Sequence, residues 1–568
     1  MEERKLKRLD NFSGRPGPLV LVIMDGVGIG KNDENNAFFL AKTPFLDKIQ
    51  REYPKKKMYV ELKAHGTAVG LPSDSEMGNS EVGHNAIGAG NVVKQRALLA
   101  KEAIESKNLF QTSKWQELAF NIVKKRKTLH LIGLLSDGYV HSHMTHLIGL
   151  LHGAKESDIK KVRIHVLFDG RDVPPQSALV YIDELERELH EINSEGDNDY
   201  RIASGGGRMH VTMDRYNSDW AMVQRGWEAH VCGFPEILPN YTGFFKSARE
   251  AVEQARSNDP DISDQYLPSF VIGDNGKKAI GAMENGDTVL FFNFRGDRAI
   301  QISRAFDERG EFDEFLKICE PNLTYFGLMQ YDEKKQIPKN FLIDPPRLGY
   351  TFLDYLSSES IPMYVVSETF KIGHLCYFFW GNRDLIEKTE HVKKNNYKLD
   401  FSVSKLKEDI VEIKSFPSEL IEKNPKMKAF EIKNELIKAL KLEKYKFLRV
   451  NFTNGDMVGH TGNIESSIIA AETVDKCVKE VIQIVNNLNG IAIITADHGN
   501  LEDMSEKWRT SHTCNPVMCA IMDSGYNNEY SINNDIKGPS LGNIAATLLN
   551  LLGFQKPENF MDSLIKFY

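Results

Sequence analysis

The chain lacks any apolar run long enough to cross a membrane; its longest, such as Leu19–Met24 and Ile491–Thr495, are of strand length and end at polar residues. Its first ten residues mix Lys and Arg with Glu and Asp and contain no apolar segment, which argues against a secretory signal. The early acidic residues argue against a transit sequence as well. Cysteine is scarce. Cys232, Cys319, Cys376, Cys477, Cys514 and Cys519 are scattered without a C-x-x-C pair, as expected of free thiols in a reducing cytoplasm rather than of a disulfide framework. Basic charge is not in excess either: 71 Lys and Arg against 79 Asp and Glu give a net charge of −8, with no footprint for nucleic acid or an anionic membrane. No internal repeat is visible. These absences favour a protein of the cytoplasm without a nucleic-acid or membrane footprint.

At 568 residues the chain exceeds a single hydrophobic core, and its 41% hydrophobic and 26% charged content is ordinary for a globular protein of two or more domains. Strand-like runs alternate with amphipathic stretches such as 177–192 and 466–488, which predicts an α/β protein with largely parallel sheets. The runs end at polar clusters. Leu19–Met24 ends at Asp25-Gly26, Leu129–Leu135 at Ser136-Asp137-Gly138, and 162–168 at Asp169-Gly170-Arg171-Asp172. The run 288–294 ends at Arg295-Gly296-Asp297-Arg298, Phe447–Phe452 near Asp456, and Ile491–Thr495 at Asp497-His498. One Asp-Gly after a strand is an ordinary turn. Six strand ends rich in Asp, His and Arg point to ligand binding at the carboxyl edges of the sheets. The Lys-rich, poorly periodic segment 384–428 is expected to be a long surface excursion.

Asp456 and His460 stand four apart, so one helical turn would place a carboxylate and an imidazole on the same face. With Asp25, the Asp497-His498 pair and His512, the chain offers three carboxylates and three imidazoles, enough to hold two divalent ions with positions left for substrate. Two cations suit phosphoryl transfer: one activates a hydroxyl, and the other neutralises phosphate oxygens. The candidate hydroxyl is Ser80, set among small residues in Met77-Gly78-Asn79-Ser80-Glu81-Val82-Gly83-His84 at the start of an expected helix. Taken alone, a serine there reads as an N-cap. Gly26-x-Gly28-x-Gly30 lacks the spacing of a dinucleotide loop, and Asp25 would repel a pyrophosphate. Cys514-x-Pro516 has Met518 where a sulfatase motif needs Arg, and no Arg-His-Gly supports a phosphohistidine.

Asp25-Gly26, 77–84, SDGYVHSH at 136–143, DGRD at 169–172, Gly207-Arg208, Met213-Asp214-Arg215, FRGDR at 294–298, Glu368-Thr369-Phe370-Lys371, DMVGHTG at 456–462, TADHGN at 495–500 and His512-Thr513 occur in one order. As a set, from about Leu19 to the chain end, they resemble cofactor-independent phosphoglycerate mutase, closest to its plant and trypanosomatid branch. The resemblance implies interconversion of 3- and 2-phosphoglycerate in glycolysis and gluconeogenesis, through a phosphoserine and without added 2,3-bisphosphoglycerate. Asp456, His460 and His512 would hold one ion, and Asp25, Ser80, Asp497 and His498 the other. Manganese is expected; cobalt, magnesium or zinc would also suit the donors. His141, Arg171, Asp172, Arg208, Arg215, Arg295, Arg298 and Lys371 would bind phosphoglycerate, with Ser80, Asp172 and Lys371 catalytic. The rival assignment is a two-metal phosphatase or phosphopentomutase of the alkaline phosphatase superfamily.

The fold implied is an alkaline-phosphatase-like α/β/α domain built from residues 1–94 and 345–568, with a second α/β domain, 95–344, inserted through two hinges, in a monomer. The presumed metal ligands fall outside the insert, and most of the arginine cluster falls inside it. Closure of the two domains would keep water from the phosphoserine. Gly296 and Phe370 depart from the Pro and Glu common among bacterial relatives, and Tyr139 replaces a common Gly beside His141.

Overall fold

The structure is a computed structural model and describes residues 5–215, 218–236, 243–274, 278–308, 310–346, 348–385, 393–395, 398–403 and 406–568. It divides into two compact units, Met1–Gln95 with Leu348–Tyr568, and Arg96–Arg347. Among the described residues no helix is long and apolar enough to cross a membrane.

The first unit is built on a nine-stranded sheet in the order 393–395, 398–403, 408–413, 363–368, 447–452, 19–24, 491–495, 517–523, 59–62. Leu19–Met24 lies near its middle, paired in parallel with Phe447–Phe452 on one side and Ile491–Thr495 on the other. All six of its residues are buried, which explains an unbroken apolar run instead of an alternating one. Register decides the chemistry. Met24 pairs with Phe452 and Ile23 with Thr495, so Asp25, the segment leading to Asp456, and Asp497-His498 all emerge at one carboxyl edge.

The second unit has a seven-stranded sheet in the order 341–343, 324–329, 288–291, 129–135, 161–168, 199–207, 270–271. Leu135 pairs with Phe168, and Phe168 with Gly207. Ser136, the loop 169–172 and Arg208 therefore leave the sheet side by side. Each unit has its own apolar core.

Two expectations are overturned. The segment 384–428 is not a surface excursion throughout. Residues 386–392, 396–397 and 404–405 lie outside the described residues, but Glu408–Ile413 is an internal strand of the first sheet, parallel to Met363–Glu368. Its Glu408 is buried against Arg449 and accepts a 3.0 Å bond from the Trp380 indole N–H. An ion pair inside a strand breaks the apolar pattern by which strands are recognised, which explains the error. The cysteines are not all free thiols either. Cys232 and Cys319, 87 residues apart, form a disulfide with Cα atoms 5.8 Å apart, while Cys376, Cys477, Cys514 and Cys519 are free. A pair so distant in sequence has no local spacing signal; only the packing of the second unit brings it together.

Candidate functional site

In the first unit the sequence candidates converge. Asn79, not Ser80, caps the helix Ser80–Ala89: its side-chain oxygen accepts the Val82 N–H at 3.0 Å. The Ser80 hydroxyl is thereby released from capping. Its Oγ lies 3.3 Å from Asp25 Oδ1, 2.9 Å from His498 Nε2 and 2.5 Å from the Lys371 Nζ. Lys371 also donates to Asp25 at 2.8 Å and to Asp456 at 2.7 Å. The approach of these segments relies on glycine. A Cβ on Gly26, which has φ +70°, would stand 2.6 Å from the Asp456 backbone, and one on Gly83 would stand 2.5 Å from the Asp497 carbonyl oxygen.

Three imidazoles are aimed by the same device. The Nδ1 atoms of His460, His498 and His512 stand 2.8, 3.2 and 2.9 Å from the carbonyl oxygens of Thr510, Gly499 and Gly78. The bond from Nδ1 to a carbonyl turns each Nε2 toward the carboxylates, where it can carry a proton or hold a cation. Asp456 Oδ1 is 2.9 Å from His512 Nε2 and 3.2 Å from His460 Nε2, and the two Nε2 atoms are 3.1 Å apart. Two Nε2 atoms at that separation, among the buried carboxylates of Asp25, Asp456 and Asp497, fit cations beyond the Lys371 ammonium. Candidate ligand atoms lie within 4.8 Å of one another in two groups, Asp456-His498-His512 and Asp25-Asp497-His498. His498 thus stands within reach of both groups, rather than of the second alone.

Charge state follows from this crowding. Burial pulls the His498 imidazole down, but Asp497, Asp25 and Asp456 outweigh it and carry it up to about 9. Burial also opposes the charge on Lys371, yet Asp25, Asp456 and Asp497 raise its pKa and keep it an ammonium. Burial pushes the Asp456 carboxyl up; Lys371, His460 and His512 more than reverse this and hold it well below the usual range.

Sequence reasoning passed over the groups that orient these ligands. Asn451 donates to Asp25 Oδ2 at 2.6 Å, and His84 Nδ1 lies 3.2 Å from Asp497 Oδ2 and 2.8 Å from the Ser80 carbonyl oxygen. The buried Glu502 carboxylate accepts the Gly28 and Asn500 N–H groups at 3.0 and 2.7 Å and ties down the loops on either side. Asn451 lies inside a strand and Glu502 beyond a quoted motif, so neither carried a spacing signal.

In the second unit, Arg208 is almost fully buried. Its Nη1 donates to Asp169 at 2.6 Å and Asp172 at 2.5 Å, and its Nη2 is 2.7 Å from His141 Nε2. Asp169, read in the sequence as part of a strand-end cluster but given no role, also accepts the Arg171 and Asp172 N–H groups at 3.3 and 3.2 Å. Asp297 stands 3.1 Å from Arg295, 3.6 Å from Arg215 and 3.6 Å from His141, while Arg298 donates to the Met213 carbonyl at 2.8 Å. Burial and then Arg208, Arg295, Arg298 and Arg215 hold the His141 pKa well below its ordinary value, so the ring is neutral. Burial and the neighbouring Arg208 and Arg215 lower that of Arg298 too. The guanidinium groups of Arg208, Arg215, Arg295 and Arg298, four against the carboxylates of Asp169, Asp172 and Asp297, form a cradle short of negative charge, suited to a phosphate or a carboxylate. The Tyr139 ring, at a residue with φ +55°, stacks on His143 with centroids 4.0 Å apart. Phe370 packs on the small apolar cluster of Ile421, Met427, Val458 and Ala470.

The chain is similar to known proteins over nearly its whole length. The family model of the BPG-independent PGAM N-terminus (iPGM_N) matches residues 100–333. The chain is 43% identical to the 2,3-bisphosphoglycerate-independent phosphoglycerate mutase of Trypanosoma brucei brucei, covering 96% of this chain and 97% of that protein. It is 41% identical to the enzyme of the same name from Zea mays, covering 96% of each. Among solved structures it is similar to Leishmania mexicana phosphoglycerate mutase at low cobalt concentration, with a TM-score of 0.74, 40% identity and coverage of 99% of this chain and 100% of that one.

Proposed function

The chain belongs to the 2,3-bisphosphoglycerate-independent phosphoglycerate mutases and interconverts 3- and 2-phosphoglycerate in glycolysis; on that premise we propose that Ser80 carries the phosphoryl group between the two positions. The observation that carries this is the placement of the Ser80 Oγ, freed from capping by Asn79 and set 2.5 Å from a buried ammonium among carboxylates and imidazoles.

The donor set fits divalent cations. Two are proposed, one held by Asp456, His460 and His512 and one by Asp25, Ser80, Asp497 and His498, with manganese the ion assigned and cobalt, magnesium and zinc admissible to the same atoms. When bound, they supply Lewis acidity that favours the Ser80 alkoxide and neutralises phosphate oxygens.

The protein's own groups do the rest. The first unit handles the phosphoryl group, and the second, through His141, Arg171, Arg208, Arg215, Arg295 and Arg298, binds phosphoglycerate. The Ser80 alkoxide attacks phosphorus in line; the Oγ–P bond forms as the bond from phosphorus to the C3 oxygen breaks. Asp172 exchanges protons with the glycerate hydroxyls: it takes the proton of the C2 hydroxyl and delivers one to the C3 oxygen as that oxygen leaves phosphorus. Glycerate then presents its C2 oxygen, the bond from phosphorus to that oxygen forms as the Oγ–P bond breaks, and Ser80 ends the cycle as it began. Lys371 offsets charge on the equatorial oxygens. We propose the cytoplasm as the site of the reaction and a monomer as the working form.

The test is acid quenching of enzyme mixed with 3-phosphoglycerate, followed by peptide mass spectrometry. A phosphorylated peptide containing Ser80 is expected, together with loss of mutase activity in Ser80→Ala. Full activity in Ser80→Ala would overturn the assignment.

A further inference from the structure

A chain of buried polar side chains crosses the second unit and is used by no step above. His130 Nε2 lies 3.3 Å from Asp287 Oδ2, His130 Nδ1 is 3.0 Å from His165 Nε2, and His165 Nδ1 is 2.6 Å from Ser204 Oγ. Ser204 Oγ continues to His230 Nδ1 at 2.7 Å, and His230 Nε2 to the Thr212 hydroxyl at 3.0 Å. All six residues are buried, on three adjacent strands, two loops and a helical turn.

The direction of these bonds is determined at one end. The Asp287 carboxylate accepts the Thr128 and Glu284 N–H groups at 3.0 and 2.9 Å, so it accepts from His130 as well. A neutral imidazole donates once and accepts once. His130 must therefore accept from His165, His165 from Ser204, Ser204 from His230, and His230 from Thr212. Every buried donor in the row finds one acceptor, with all three rings neutral.

The far end matters for substrate. Thr212 has φ +68°, a left-handed conformation that is costly for a β-branched residue and persists only where its surroundings impose it. Gly226 makes room for it, since a Cβ there would lie 2.1 Å from the Thr212 hydroxyl oxygen. The turn falls between Arg208 and Arg215, and the next residue, Met213, offers the carbonyl that holds Arg298 at 2.8 Å.

We infer that the row from Asp287 to Thr212 is a positioning network, which fixes the turn at Thr212 and through it the aim of Arg208, Arg215 and Arg298 at phosphoglycerate. It rests on the proposal that those arginines bind the substrate. None of the six touches substrate; they act through the arginines.

Steady-state kinetics of the full-length, metal-loaded enzyme test this with Thr212→Val, which keeps the shape and removes the hydroxyl; Thr212→Ser, which keeps the hydroxyl; and Ser204→Ala, which cuts the row away from the turn. Arg215→Ala is the control for the cradle. KM for 3-phosphoglycerate should rise about fivefold or more in Thr212→Val, the factor equivalent to one net hydrogen bond. It should rise in the same direction in Ser204→Ala and return to within about twofold of wild type in Thr212→Ser. A purely structural role would lower Tm and the active fraction and leave KM unchanged. Unchanged KM in Thr212→Val, with KM raised in Arg215→Ala, would overturn this inference alone. A rise in Thr212→Val without one in Ser204→Ala would overturn the role of the row. Unchanged KM in all the variants, Arg215→Ala included, would overturn the substrate assignment as well.

Discussion

The Lys371 ammonium stands 2.5 Å from the Ser80 hydroxyl oxygen. The same nitrogen bonds Asp25 at 2.8 Å and Asp456 at 2.7 Å, so one side chain offsets two buried carboxylates and faces the oxygen assigned as phosphoryl carrier. Both duties depend on its position in the middle of the short helix Thr369–Gly373, directly after the strand Met363–Glu368.

Lys371→Met should separate the two duties. Loss of the preorganised charge at the phosphoryl group is expected to lower kcat by about 10²–10³-fold, the cost typical of removing one such donor. Thermal melts should show the metal-free variant destabilised relative to metal-free wild type, with the gap narrowing once divalent ions are added. Equal gaps with and without ions would show that Lys371 does not share its carboxylates with a cation.

Exhaustive chelation should abolish activity and lower Tm, because ions that bind only the folded protein stabilise it by about 2.7 kcal/mol at a hundred times Kd. Add-back of manganese should restore both, with cobalt as the comparison ion. Elemental analysis alongside activity checks this; full turnover by protein free of divalent ions would contradict the assigned cluster.

Arg208→Lys should reduce kcat/KM by about 10–100-fold, since an ammonium cannot reproduce the forked bonds to Asp169, Asp172 and His141. Isothermal titration with phosphoglycerate would show the loss in binding. Unchanged affinity would remove Arg208 from the substrate site.

Glu408→Gln concerns stability alone. Arg449 is fully buried, and besides Glu408 it reaches the Leu375 carbonyl at 2.8 Å. Leaving its charge without a carboxylate should cost about 3 kcal/mol, measurable as a lower urea midpoint, with KM unaltered.

Acid should weaken the second unit through its buried histidines. Burial lowers the pKa of His130, with Asp287 opposing, holds that of His165 well below the ordinary value, and takes His230 down to about 3. Above about pH 6.5 neither the folded nor the unfolded chain protonates these rings, so they add no pH dependence. Below it the unfolded chain binds protons that the folded one refuses, and stability falls by up to about 1.4 kcal/mol per pH unit for each histidine. Urea midpoints followed by tryptophan fluorescence between pH 7.5 and 4.5 should fall accordingly, and His230→Gln should make the dependence shallower.

Much of this protein is legible in its sequence, because strand ends in an α/β sheet are marked by local chemistry. Buried strands read as unbroken apolar runs, and each is followed at once by its polar cluster: Asp25 after Leu19–Met24, Asp169 to Asp172 after Lys161–Phe168, and Asp497-His498 after Ile491–Thr495. Those spacings are short-range and survive in one dimension.

The tertiary structure alone decided what depends on register and on distant partners. It gave the capping role to Asn79 and freed Ser80. Parallel pairing placed Asn451 against Asp25, though 426 residues separate them. Packing joined Cys232 to Cys319, and a buried partner, Arg449, made a strand of a segment whose composition resembles a loop. Ser80 shows the division plainly. The sequence supplies its hydroxyl, but only the fold brings Lys371, Asp25 and His498 within hydrogen-bonding reach of it, because no local pattern encodes contacts between segments 55, 291 and 418 residues apart.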